Sequence, residues 1–409
     1  MGFTEVIKSQ VRQEGFTALE RKSVTSLAAV LAMRLIGLFM ILPVLALHAD
    51  DFHGSTPILI GMALGIYGLT QALLQVPFGA ASDRWGRKPM LVLGLVIFAI
   101  GSMVAAESTT IFGVIAGRFL QGGGAIAAVV LACVGDLTRE SQRTKAMAVI
   151  GVSIGTAFTL ALILGPSLNY IAGLRGLFWL AAAMAAVGLI LVWKVVPPLP
   201  VQVASAPTGR LFSNLKSALT NRKLVGLYFG TLAIHVAVTS LFLAFPIELV
   251  EATGLARTST WKVYAPVFIL SFVMMVPLIR IGSGKGRSRP VMLCAALLLV
   301  IALAGVTLGS RSGDFVLLAV GLWLFFVGFN TLEAIFPSTT VSAADSGMRG
   351  TVMGVFNTCT FTGAFVGGVV GGFAYDWFGA TGVFCAAGIV ILLWISIEFI
   401  VLGKVSTLK

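Results

Sequence analysis

Four ionisable side chains stand inside long apolar runs of this sequence: Arg34, Arg118, His235 and Glu333. A charge in hydrocarbon is costly and persists where it faces a polar interior, so each is a functional candidate. Glu333 is the first candidate for a proton carrier. Desolvation opposes the charge on a buried carboxyl and a nearby guanidinium favours it, so a ligand or a change of shape can toggle the proton. Its plainer alternative is a carboxylate held in a fixed structural pair. His235 is the second candidate, because histidine changes charge near neutral pH; the alternative is a structural hydrogen bond to a neighbouring helix. Arg34 lies about ten residues, roughly 15 Å, into its run. It either orients a ligand and sets the charge of a carboxylate, or it pairs structurally.

Helical spacing adds polar neighbours to these charges. Thr231, His235 and Thr239 share a face by i, i+4, as do Tyr67, Gln71 and Gln75, and Asn330 precedes Glu333 by three. Together with Gln121, these residues are expected to line a polar cavity. Nothing else assembles into a reaction centre. The three histidines are His48, His53 and His235, no nucleophile motif appears, and no ligand set has metal spacing. The four cysteines, Cys133, Cys294, Cys359 and Cys385, sit apart in apolar runs and read as small buried hydrophobes. No enzyme, cofactor or metal is expected.

The elements that position these side chains follow from composition. With 58% apolar and 11% charged residues in 409, the chain lies outside the soluble range and is an all-α membrane protein. Runs of about 20 residues, enough to cross ~30 Å of hydrocarbon, fall near 24–47, 57–81, 89–106, 110–135, 145–169, 176–196, 224–248, 261–281, 290–309, 315–341, 350–374 and 381–403. Twelve transmembrane helices are expected, the first opening on a capping box of Thr17 and Glu20. A net charge of +12 raises the question of nucleic acid, but the basic residues are spread over short loops and no nucleic-acid fold signature accompanies them. Assigning the N-terminus to the inside puts 22 of the loop Lys and Arg on that side and leaves four, Arg175, Arg257, Lys262 and Arg311, on the other. The positive-inside bias therefore places both termini in the cytoplasm, and anionic lipid is the expected partner of the basic loops.

The chain divides at its longest polar stretch, opened by Pro197, Pro198 and Pro200. Residues 1–196 and 224–409 each make a six-helix bundle, joined by 197–223. Within that joining stretch Leu211, Phe212, Leu215, Ala218 and Leu219 form one face of a helix fit to rest on a membrane surface; a plain linker is equally compatible. The two parts resemble each other at an offset near 200 residues. Leu42-Pro43-Val44 answers Phe245-Pro246-Ile247, Gly86 to Leu91 answers Gly286 to Leu293, and Arg34 and His235 stand 201 positions apart.

One charged cluster interrupts two apolar runs: Gly79 to Met90, reading G-A-A-S-D-R-W-G-R-K-P-M. Asp83, Arg84, Gly86, Arg87 and Lys88 stand where a lipid-embedded hairpin would emerge into water, and a tight turn there needs a small residue such as Gly86. This cluster, Arg118-Phe119-Leu120-Gln121-Gly122 and Gly165-Pro166, set in twelve spans of two halves, resemble the major facilitator superfamily, specifically its drug:proton antiporter branch. The longer stretches from Gly65 to Gly79 and Asp136 to Glu140 are similar to a bacterial inner-membrane member that carries a soluble C-terminal domain, for which a sequence ending at Lys409 leaves no room. Span five departs from the antiporter pattern, ending Gly165-Pro166-Ser167-Leu168-Asn169-Tyr170 without a closing glycine pair. The loop at 280–289 lacks an acidic counterpart to Asp83.

The resemblance implies a monomeric inner-membrane transporter that exports drug-like small molecules against proton entry by alternating access. It also implies a conformational latch of Gly79, Asp83, Arg84, Gly86, Arg87, Lys88 and Asp136. In that latch Asp83 faces the start of span eleven and Arg87 pairs with Asp136, holding the outward-open state; topology and turn-making are the plainer reading of the same residues. For Arg118 it implies a part in proton coupling, with interhelical hydrogen bonding as the alternative. The second functional reading is a facilitator or proton symporter of a sugar or organic anion, which Arg34 and Arg118 would suit.

Overall fold

A computed structural model describes residues 15–196, 208–284, 286–345 and 348–406. The chain is helical throughout: α1 Ala18–Phe39, α2 Leu42–Leu45, α3 Pro57–Trp85, α4 Arg87–Glu107, α5 Ile111–Gly123, α6 Ala127–Leu137, α7 Glu140–Val195, α8 Thr208–Thr220, α9 Arg222–Thr253, α10 Trp261–Gly282, α11 Ser288–Ser312, α12 Phe315–Ala343 and α13 Arg349–Ser406. Among the described residues ten segments are long and apolar enough to cross a membrane. Their outward faces carry exposed Val152, Ile171, Ile269, Leu270 and Val273, as lipid contact requires.

Several ends form as the sequence dictates. Thr17 and Glu20 close the capping box at the start of α1, and Asp314 caps α12 by accepting from the Val316 and Leu317 amides. Elsewhere the boundaries differ from expectation. The charged hairpin is tighter than the expected spans ending at 81 and opening at 89 suggest: α3 runs through Asp83 and Arg84 to Trp85, and Gly86 alone reverses the chain at φ 97°. A backbone at that angle is open to glycine at no steric cost. The loops expected near 170–175 and 375–380 contract in the same way, since α7 and α13 each continue through one non-helical residue, Gly173 and Gly379, both at φ 63°. The fourth expected span is not one helix but two, α5 and α6, parted at 124–126. In the joining stretch α8 forms, with Ala218 buried and Leu215 and Leu219 exposed; residues 197–207 and the side chains of Leu211 and Phe212 lie outside the described residues.

The helices before and after α8 meet chiefly through α3 and α13. A methyl group on Gly61 would collide with the Gly368 carbonyl, one on Gly68 with the Phe361 carbonyl, and one on Gly372 would stand 2.9 Å from the Ile58 Cα. Small residues permit such approach of helix backbones in a membrane. This seam occupies the first half of α3 and the stretch of α13 leading to Gly379. The same end, called distal here, holds the Asp50–Arg257 ion pair at 3.1 Å. The two groups of helices are thus in close backbone contact distally, whereas towards the opposite, basic end Gly350 and Gly354 of α13 face open space.

Candidate functional site

Midway along α9, His235 sits on a helix that is polar on one stripe. Its Nδ1 lies 2.8 Å from the Thr231 carbonyl, and Nε2 lies 3.7 Å from Glu333 Oε2 on α12. A carbonyl only accepts, so Nδ1 donates, and in the neutral ring the Nε2 lone pair is turned to the carboxyl. Glu333 Oε2 is itself buried and has no hydrogen-bond partner among the described residues, while the side chain as a whole keeps 31% exposure. Thr231 reaches Thr360 of α13 at 2.9 Å. Thr239 is buried, and Asn330 donates to Ser271 at 3.2 Å.

An aromatic series crosses from this pair to the helices before α8. Phe329 stands 5.8 Å from the His235 ring and 5.5 Å from Phe158, which contacts Phe39 at 5.0 Å, and Phe39 meets Tyr67 at 6.2 Å. Arg118 lies over the Tyr67 ring at 4.5 Å. Phe39, Phe158 and Phe329 are unremarkable in an apolar sequence, and spacing offered no signal for them.

The two arginines, alike in sequence, differ in structure. Arg118 donates to the carbonyls of Ala63, Leu38 and Leu64 and, at 2.8 Å, to Gln121, whose amide goes on to Ser102. It ties α1, α3 and α5 together, which is the interhelical hydrogen-bonding alternative. Arg118→Met would leave those acceptors buried and unpaired at a cost of about 3 kcal/mol, read as a lower midpoint of thermal unfolding in detergent. Arg34, fully buried, has one hydrogen bond, from Nη2 to Gln71 Oε1 at 2.8 Å. Gln121 is thus inside the helix packing and hydrogen-bonded, while Gln71, Gln75 and Tyr67 are buried beside it on α3.

At the basic end Arg87 carries most of the ionic contacts. It pairs with Asp83 one turn earlier in sequence, donates to Ser82 at 2.6 Å and reaches Asp136 at 2.9 Å. Among the described residues no contact joins Asp83 to the start of α13; Asp83 turns to Arg87 in this closed-distal arrangement. Gly79 approaches Ala128 at ordinary distance and Arg84 is exposed. Lys88 is a cap: its Nζ donates to the Trp193 and Val196 carbonyls at 2.8 and 3.1 Å, at the end of α7. Arg289, 201 positions later, reaches α13 before its end, donating to the Glu398 carbonyl at 3.1 Å with its Nε 3.7 Å from the Glu398 carboxylate. The acid missing from the 280–289 loop is therefore supplied by Glu398, more than a hundred residues away. A further pair, Glu20 with Arg139 at 2.9 Å, holds the start of α1 against the α6–α7 turn.

This arrangement can be set beside known proteins. The family model for the Major Facilitator Superfamily matches residues 27–368. The chain belongs to the Major Facilitator Superfamily. It is 41% identical over 378 residues to the inner membrane transport protein YajR of Escherichia coli, covering 92% of this chain and 83% of that one. It is 24% identical over 345 residues to the multidrug resistance protein MdtH of Proteus mirabilis, covering 83% and 84%. A solved bacterial homologue of the human lysosomal transporter Spinster shares the fold at a TM-score of 0.78 and 11% identity, covering 95% of this chain and 97% of that one. As a Major Facilitator Superfamily member the chain is a multi-pass membrane transporter and not an enzyme.

Proposed function

We propose that this transporter is a proton-coupled antiporter that moves small molecules out of the cell by alternating access. The His235–Glu333 pair carries the reading: two groups able to share one proton, 3.7 Å apart, with the facing Glu333 oxygen buried and without another hydrogen-bond partner among the described residues. Ionisable side chains at such depth mark proton pathways in transporters. The aromatic contact of Phe329 with Phe158 gives the pair a direct link to the other set of helices, so a change of protonation has a route to the seam. Kinship with MdtH, whose name records multidrug resistance, favours drug-like cargo.

In this reading the bends at Gly173 and Gly379 divide α7 and α13 into two crossings each. The ten long segments then supply twelve crossings, in six-helix halves of residues 1–196 and 224–409. The positive-inside bias sets the basic end and both termini in the cytoplasm of a bacterial inner membrane. The arrangement described here is then open inward. Asp83 engages the start of α13 only in the outward-open state, when the basic ends of the halves meet. The protein works as a monomer, with protons, its cargo and lipid as partners.

Inverted vesicles holding a respiration-generated acid interior test the coupling. Adding a transported drug should alkalinise the interior as protons leave in exchange; a drug-driven signal of opposite sign or none, with flux present, would indicate the symporter or facilitator of a sugar or organic anion instead. One observation favours that second reading, namely the unpaired guanidinium of Arg34.

A further inference from the structure

The hydrogen-bonding groups around Arg34 are poorly matched to one another. Arg34 is fully buried, yet its Nε and Nη1 have no acceptor, and the Nε2 of Gln71 has none either. On the same face of α3 one turn further, Gln75 is buried with an unpartnered Oε1. The guanidinium also lies over the Phe98 ring, 5.5 Å from its centre, with Tyr67 close enough to interact electrostatically. No described carboxylate pairs with Arg34, in contrast to Arg87, Arg139, Arg175, Arg257 and Arg289, each of which faces an acid. A guanidinium always carries its charge, and a buried charge is tolerated when it is paired and hydrogen-bonded. Arg118, in the same group of helices and equally buried, meets that condition through carbonyls; Arg34 does not.

We propose that Arg34, Gln71 and Gln75 form an anion-binding site, and that its preferred occupant is the carboxylate of a transported molecule. Three donor nitrogens, Arg34 Nε, Arg34 Nη1 and Gln71 Nε2, have no acceptor among the described residues; an acceptor-only group would satisfy them, and the positive charge selects an anion over a neutral carbonyl. The Gln75 amide, turned over, adds a fourth donor, since its oxygen and nitrogen exchange places by a half-turn about the last torsion. The location suits cargo. Gln71 and Gln75 follow Gly68 by three and seven residues, just past the point where α3 leaves its contact with α13 and the helix groups begin to part. The occupant's being cargo rests on the transporter reading, whereas the anion site itself does not, and binding can be read without flux.

The test uses the purified full chain in detergent, in chloride-free N-methylglucamine–HEPES buffer, with unfolding followed by scanning fluorimetry. Acetate, benzoate and chloride are titrated separately. A ligand of the folded state raises the midpoint with the logarithm of its concentration once Kd is passed, on the order of 3 °C at a hundredfold excess. Benzoate or acetate acting at lower concentration than chloride supports the carboxylate assignment; chloride acting first overturns that assignment and leaves an inorganic counter-ion. Arg34→Gln should abolish the response. Should that variant fail to fold, Gln71→Glu provides the second arm, because it supplies a carboxylate from within. It should fold with an unchanged or higher midpoint and should no longer respond to any of the three anions. A wild-type protein indifferent to all three, or a Gln71→Glu variant that responds as the wild type does, overturns the site.

Discussion

Glu333→Gln is expected to reduce flux driven by a pH gradient in proteoliposomes to the background of protein-free vesicles. Glutamine keeps the size and hydrogen-bonding reach of the side chain but cannot take up or release the proton that His235 Nε2 faces at 3.7 Å. The side chain is partly exposed and glutamine keeps its volume, so yield and thermal midpoint should stay close to those of the parent. His235→Gln should behave differently. It retains a donor for the Thr231 carbonyl while removing the second proton site, so the pH dependence of flux should change while some flux remains. Undiminished gradient-driven flux in Glu333→Gln would remove this pair from the mechanism.

The second large effect is expected at the seam. Gly368→Leu drives a side chain into the carbonyl of Gly61 and the backbone of Gly65. Overpacking against main chain costs roughly 3 kcal/mol, about a hundredfold in the population of the distally closed arrangement. Since α13 touches α3 there and α9 through Gly363 and Gly367, the substitution bears on the junction between helix groups rather than on one core. The reading is accessibility. A cysteine placed at Ile60, buried at 2%, should react with a membrane-impermeant maleimide far faster in the Gly368→Leu background, while cargo flux collapses. Gly368→Ala gives a graded version, because its single methyl meets the same carbonyl. Equal labelling in both backgrounds would mean that this seam is not the distal barrier.

Much of this fold was legible in the residues. Apolar run length located every long segment, and the capping box at Thr17 and Glu20 formed as spaced. The pairing of Arg87 with Asp136 was anticipated from the loop pattern and is present. The turns were less legible. The gaps between apolar runs at 170–175 and 375–380 suggested loops, yet each is a single non-helical glycine at φ 63°, and a one-residue bend leaves no compositional trace. The break at 124–126 was hidden for a related reason, since Gly-Ala-Ile reads as apolar whether or not its backbone is helical.

At the site, sequence could locate charges but not their partners. Arg34 and Arg118 were equivalent candidates, and what separates them is whether carbonyls from other helices point at the guanidinium. Helix packing alone decides that. Lys88, expected within a latch, instead closes the end of α7, because the free carbonyls at a helix terminus attract the nearest cation. The pairing of His235 with Glu333 spans 98 positions, beyond any local rule. The 201-residue correspondence of Arg34 and His235 offered a guide to depth, not to contact.

Lys88 on the end of α7 and Arg289 on the Glu398 turn of α13 act as fasteners, each within the helices on one side of α8. Under the proposed alternating access neither needs to be undone for the protein to change posture, so motion would be confined to a narrow glycine track and a few stacked rings. A molecule wedged into that track would then hold the protein in one stance while leaving the helices on either side of it intact.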